Sequence, residues 1–255
     1  MPSANERGIA MSLTLRKYLL FGISLLALAG FTWPLFVPAL PSDAQSSAGW
    51  VAIALLPVIA IAALLIYQGR IAGPRQIALL GVLASIASAT RIATSGVGGF
   101  ELIFVIVILG AAAVGAEFGF LLGALSIIVS SLFFGGIGPW TAFQVFAVGW
   151  VGLGAGLLAK RVKKRLLLSL AIYGFLASYI FGLIMNLWFW PFAVGPATSL
   201  SYSPSSNFFE NLVSFFGYSL ISSTLTWDTV RAVSTAVFVT LLGKPFLATL
   251  KRYKF

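Results

Sequence analysis

Neither cysteine nor histidine occurs in these 255 residues. Their absence removes disulfides, thiol nucleophiles, imidazole acid–base catalysis and every Cys/His metal site. Acids are nearly as scarce. Asp and Glu number 6, and charged residues of both signs make up 9% of the chain. No cluster of carboxylates could coordinate a metal ion, so neither a metal nor a bound cofactor is expected. A soluble domain carries about 25% charged residues, which makes an ordinary aqueous surface equally unexpected. The P-loop pattern G-x-x-x-x-G-K-[ST] is missing too, and without it the chain cannot hydrolyse nucleotides by that route.

What remains is apolar. Hydrophobic residues make up 60% of the chain. They fall in continuous Leu/Ile/Val/Ala runs of about 18 residues or more, each able to cross about 30 Å of hydrocarbon as a helix. The runs do not alternate in polarity as barrel strands would. The expected fold class is therefore all-α: a polytopic transmembrane helix bundle of about eight helices. A net charge of +10 would suit nucleic acid in another chain. Here the basic residues flank the apolar runs, where orientation and anionic lipid headgroups account for them, and no nucleic-acid partner is expected.

Lys160, Arg161, Lys163, Lys164 and Arg165 separate two apolar runs, and juxtamembrane Lys and Arg stay on the cytoplasmic side. With that loop inside, expected spans at 18–37, 50–68, 77–95, 102–116, 118–134, 141–159, 166–190 and 227–247 alternate in direction. Both termini then lie in the cytoplasm, and 14 of the 16 basic residues are cytoplasmic, Arg91 and Arg231 excepted. The stretch 207–226 is expected to be a surface or re-entrant helix preceding the last span. Residues 1–76 hold a tail and two extra helices, and 77–255 form a six-helix core. The first apolar run exceeds a signal-peptide h-region and reads as a retained helix.

Ionisable residues inside a membrane are costly and need partners or a wet cavity. Arg91 falls in the outer half of the third span, and Glu101 opens the fourth. Asp228 and Arg231 start the last span one turn apart, where a structural helix-start pair is the alternative reading, as snorkelling to outer headgroups is for Arg91. Trp140 and Gln144 share a face at the outer end of the sixth, and Asn186, Trp188 and Trp190 close the seventh. Polar and indole groups thus gather at one depth, as in a small-molecule pocket open to the outside. For the tryptophans, an interfacial aromatic belt is the alternative reading. Glu117 reads as structural. Gly81, Ser85 and Ser88 line one face of the third span, and Gly149, Gly152 and Gly156 one face of the sixth. Such stripes allow close helix approach.

The segment Gly138-Pro139-Trp140-Thr141-Ala142-Phe143-Gln144-Val145-Phe146-Ala147 resembles a G-P-W-T-P-W-Q-M-like signature. That signature occurs in one branch of the substrate-binding S components of energy-coupling factor (ECF) transporters. Glu117–Ala124 precedes it, Gly152–Gly156 follows it, and Trp227-Asp228-Thr229-Val230-Arg231-Ala232 looks like the branch's W-D-x-x-R-A segment. Ala142-Phe143 stands in place of Pro-Trp, and Val145 in place of Met. The resemblance spans about 77–244. It implies a prokaryotic plasma-membrane protein that captures a vitamin-like micronutrient at its outward face, and the polar and indole residues gathered at that depth, Arg91, Glu101, Trp140, Gln144, Asn186, Trp188, Asp228 and Arg231, are the binding candidates. It implies as partners a transmembrane coupling subunit, met through a small-residue face whose nearest equivalents are Gly81, Ala84, Ser85 and Ser88, and two cytoplasmic ATPases that drive release. Enzymatic activity is not expected. A stand-alone secondary transporter or an integral-membrane enzyme are the rival readings.

Overall fold

A computed structural model of the chain describes residues 13–37, 42–68, 73–94, 97–195 and 198–252. Among them there is no strand. Helices α1 (Leu13–Phe36), α2 (Ser42–Gln68), α3 (Pro74–Ala93), α4 (Ile103–Val114), α5 (Ala116–Phe133), α6 (Pro139–Arg161) and α7 (Leu166–Ala193) are followed by α8 (Phe208–Ser219), a π-helical segment (Leu220–Asp228) and α9 (Thr229–Arg252). Among the described residues, six helical rods are long and apolar enough to cross a membrane: α1, α3, α5, α6, α7 and the terminal rod that begins with α8. Large apolar side chains such as Phe21, Val58, Ile77, Ile180 and Leu241 face outward. In water such a surface would be a liability; in hydrocarbon it is the expected exterior. The molecule is an all-α membrane-type bundle.

Local sequence sets the helix ends. Pro74 and Pro139 stand at first-turn positions, where a missing N–H costs nothing. At α8, Asn207 Oδ1 accepts from the Glu210 N–H at 2.9 Å, while Glu210 Oε2 accepts from the Asn207 N–H at 3.3 Å, a reciprocal cap. Gly115, at φ 144°, joins α4 to α5 with no intervening loop.

α4 is the central post. Every residue from Ile103 to Ala111 is buried, and α3, α5, α6, α7 and α9 surround it. Its 12 residues span about 18 Å, too short to cross a bilayer alone. α5, starting from the same turn, has 18 residues and rises about 9 Å further. The chain entering α4 is therefore recessed below the end of α5. It descends through Gly98 and Gly99, both at positive φ, and a Cβ on Gly99 would overlap the Trp227 backbone, so only glycine fits there.

The tightest seam joins α5 to α6. A side chain at Gly119 would strike the Gly152 carbonyl, one at Gly152 the Gly119 carbonyl, and one at Gly156 the Ala116 backbone. The glycine stripe of the sixth span is thus internal packing. On α3 the small residues divide: Ala84 and Ser88 are buried, Ser88 donating to the Ser126 carbonyl at 3.0 Å, whereas Gly81 and Ser85 are exposed.

One expectation fails. Residues 207–226 do not form a separate surface or re-entrant helix. α8, the π segment and α9 make one uninterrupted rod, of which Phe208–Leu250 alone is 43 residues, about 65 Å long. The rod lies antiparallel to α7 throughout: Leu167 meets Gly243, Thr235 meets Gly174, Asp228 meets Gly182 and Phe215 meets Trp190. The expected break rests on charge parity alone, and parity is satisfied equally by one long rod that crosses once. α1 and α2 pack outside α5–α7 within the same hydrophobic cluster. Phe31 stands edge-on to Phe143 at 4.9 Å, and Trp33 Nε1 donates to the Trp188 carbonyl at 3.2 Å.

Candidate functional site

The recess above α4 gathers most of the intramembrane polar residues. Arg231, one turn into α9, is buried and points across the bundle to Glu101. Its Nε lies 3.0 Å from Glu101 Oε2, and Nη2 donates to Glu101 Oε1 at 3.4 Å. Nη1 donates to Asp228 Oδ1 at 2.6 Å and to the Ser178 carbonyl at 3.4 Å. The guanidinium also lies 4.9 Å from the Phe181 ring centroid and 5.7 Å from that of Phe104, within cation–π range. One buried cation is thus held by two carboxylates, a carbonyl and two rings, which is what burying it demands.

Behind this cluster a neutral relay fixes Asp228. Ser223 donates to Asp228 Oδ2 at 2.8 Å, and Asn186 Nδ2 donates to Ser223 Oγ at 2.6 Å and to Ser219 Oγ at 2.9 Å. The residues between form a π-helical segment, and at its end the Thr229 hydroxyl donates to the Thr224 carbonyl at 2.8 Å. π turns are rare in proteins and concentrate at functional sites. Here the extra width turns Ser223 towards Asp228. Gly182 makes room opposite, since a Cβ there would overlap the Asp228 carboxylate.

In front of the cluster lies a cavity of about 200 Å³ lined by Arg91, Thr94, Gly99, Phe100, Glu101, Phe134 and Trp227. The Glu101 side chain keeps 32% of its surface exposed, against 7% for that of Arg231, so Glu101 is the face the buried cluster presents to the cavity. Arg91 is anchored by neutral acceptors: Nη1 donates to Ser130 Oγ at 2.9 Å and Nη2 to Gln144 Oε1 at 3.1 Å. A guanidinium has five N–H donors, so Arg91 keeps donors for a ligand. The cavity lining thus combines a guanidinium residue and a carboxylate residue with three aromatic residues. Such a site suits a small flat molecule that carries both acceptors and donors.

The other expected site residues are placed as follows. Gln144 positions Arg91, and Asn186 acts on Asp228 through Ser223; neither lines the cavity. Trp140 is 42% exposed and folds its ring over Gly138 at the rim of α6. Trp188 is buried, stacked on Phe143 with centroids 4.0 Å apart and planes 8° apart, its indole N–H without a partner among the described residues. Trp190 donates to the Leu200 carbonyl at 2.7 Å and holds the 198–207 loop down. These three tryptophans do not meet Arg91 or Glu101. Ser130, Phe134, Thr94, Phe100 and Ser223 are part of the site but were not anticipated. Ser126 and Ser130, four apart in an apolar helix, were the available signal.

The chain matches no protein-family model, no curated protein and no solved structure.

Proposed function

We propose that this protein is the membrane-embedded substrate-capture subunit of an ECF-type importer, binding a vitamin-like small molecule in the recess above α4. The cavity between Arg91 and Glu101 carries this reading. A paired donor and acceptor among aromatic rings, recessed about 9 Å below the end of α5, is costly to keep in a membrane unless a ligand uses it. Glu101 and Asp228 are both tied to Arg231, which suits holding charge in place rather than moving protons. At about 200 Å³ the cavity is smaller than usual ligand pockets of roughly 300–1,000 Å³. It takes one ring with its polar substituents and leaves any larger part in the mouth beside Trp227.

The basic turn at Lys160–Arg165 and the Arg252 end lie opposite this mouth, and the positive-inside rule supports an outward-facing site with both termini cytoplasmic. Gly81 and Ser85, exposed on α3, remain available for a coupling subunit, whereas Ala84 and Ser88 are committed to internal packing. The test is mass spectrometry of small molecules co-purifying with the detergent-solubilised chain, followed by titration of the identified compound into wild type and Arg91→Gln. Stoichiometric retention that Arg91→Gln abolishes supports capture. An empty protein from ligand-rich medium overturns it.

A further inference from the structure

At the opposite, basic end of the bundle α3 and α9 diverge and leave a lateral groove of about 1,160 Å³. Its walls are apolar: Leu79 and Val82 from α3, Leu242 and Phe246 from α9. Its end is not. Arg75, the second residue of α3, and Arg252, the last of α9, both line it and both are exposed. No acid lines the groove; Glu117, the described acid at this end, opens α5 instead. Neither arginine has an ion-pair partner among the described residues. The positive end of the α3 dipole adds to the field at Arg75.

We infer that this groove is a binding site for an anionic phospholipid, its phosphate held by Arg75 and Arg252 and one acyl chain lying between α3 and α9. The arrangement matches a lipid end to end: two cations at interface depth, then a trough open to the side whose lining is apolar apart from Thr249. Basic pockets between transmembrane helices on the cytoplasmic side recognise anionic headgroups in this way. Arginine suits the task because its planar fork grips a phosphate through two N–H groups at once. Val82 and Leu242 are 57% and 46% exposed, so the trough is accessible from the hydrocarbon and a chain can enter without opening the bundle. The site is separate from the outer cavity, and the inference stands whether or not that cavity captures a solute.

The experiment is native mass spectrometry of the full chain in detergent, titrated with phosphatidylglycerol or phosphatidylcholine of identical acyl chains. Wild type should retain phosphatidylglycerol about 25-fold more tightly, about fivefold from each arginine. Arg75→Gln with Arg252→Gln should abolish the preference, while Lys163→Gln with Lys164→Gln, outside the groove, should keep it. Should the double arginine variant fail to fold, Val82→Trp carries the test: it fills the trough, leaves both charges, and should lose the tight adduct. Equal retention of the two lipids overturns the inference, as does equal loss in the Lys163/Lys164 variant. A co-purifying membrane protein displaced by Val82→Trp, with lipid retention indifferent to headgroup, would assign the groove to a protein partner and overturn it too.

Discussion

Arg231→Met is the most informative perturbation of the charge cluster. Methionine matches the length and the apolar stem of arginine but leaves Glu101 and Asp228 facing one another without their cation. Asp228 is 1% exposed and Arg231 6%, so water cannot replace the cation at Asp228, although it reaches the half-open Glu101 side chain. Unit charges about 4 Å apart attract by about 4 kcal/mol at an effective dielectric of about 20, and removing one partner of a buried pair costs about 3–5 kcal/mol. For a chain of this size each kcal/mol moves Tm by about 2–4 °C, which puts the loss at about 10 °C. Tryptophan fluorescence during heating in detergent, at a fixed scan rate, reads it. The triple variant Glu101→Gln, Asp228→Asn, Arg231→Met should recover at least half of the loss, because the expense lies in the unpaired charges and not in missing volume. A single variant within about 2 °C of wild type, or a triple variant no better than the single one, would refute a structural role for the pair.

Gln144→Ala should lower affinity for the co-purifying ligand about tenfold with Tm nearly unchanged, since it removes one charge-assisted hydrogen bond that aims Arg91, worth about 1.5 kcal/mol; isothermal titration separates the two effects. Gly152→Val should destabilise strongly, by about 3 kcal/mol or more, because backbone rather than a flexible side chain fills the space. Gly81→Ala, with open space around it, should instead stabilise by about 0.5–1 kcal/mol, and denaturant or thermal unfolding compares the pair. A reporter fused after Phe255 should read cytoplasmic, and a signal from the far side would overturn the assigned orientation.

Sequence inspection treated Arg231 as a ligand contact alongside Arg91. Their environments differ in kind. Arg231 spends its donors on two carboxylates and a carbonyl, whereas Arg91 rests on neutral oxygens beside a cavity. In the local sequence only Asp228, one turn before Arg231, separates them and marks Arg231 for an ion pair; the second carboxylate, Glu101, is invisible at that range. Likewise Trp140 and Trp188 look equivalent as helix-end indoles, yet one lies at the rim and the other is stacked in the core on Phe143.

The sequence alone determined the properties that depend only on neighbours along the chain. Apolar run length demands helices in a membrane, glycine and proline end them, and the basic clusters mark one end of the bundle. Pairings between distant positions were decided by the tertiary structure. Arg231 meets Glu101 from 130 residues away, and Arg91 meets Gln144 from 53 away. Those meetings require each helix to be rotated about its own axis and set at a particular height, which packing fixes and hydropathy does not. The short central α4 shows why. Its 12 residues are too few to span a bilayer, and only five surrounding helices make that length tolerable. The same shortness recesses Glu101 and makes the cavity.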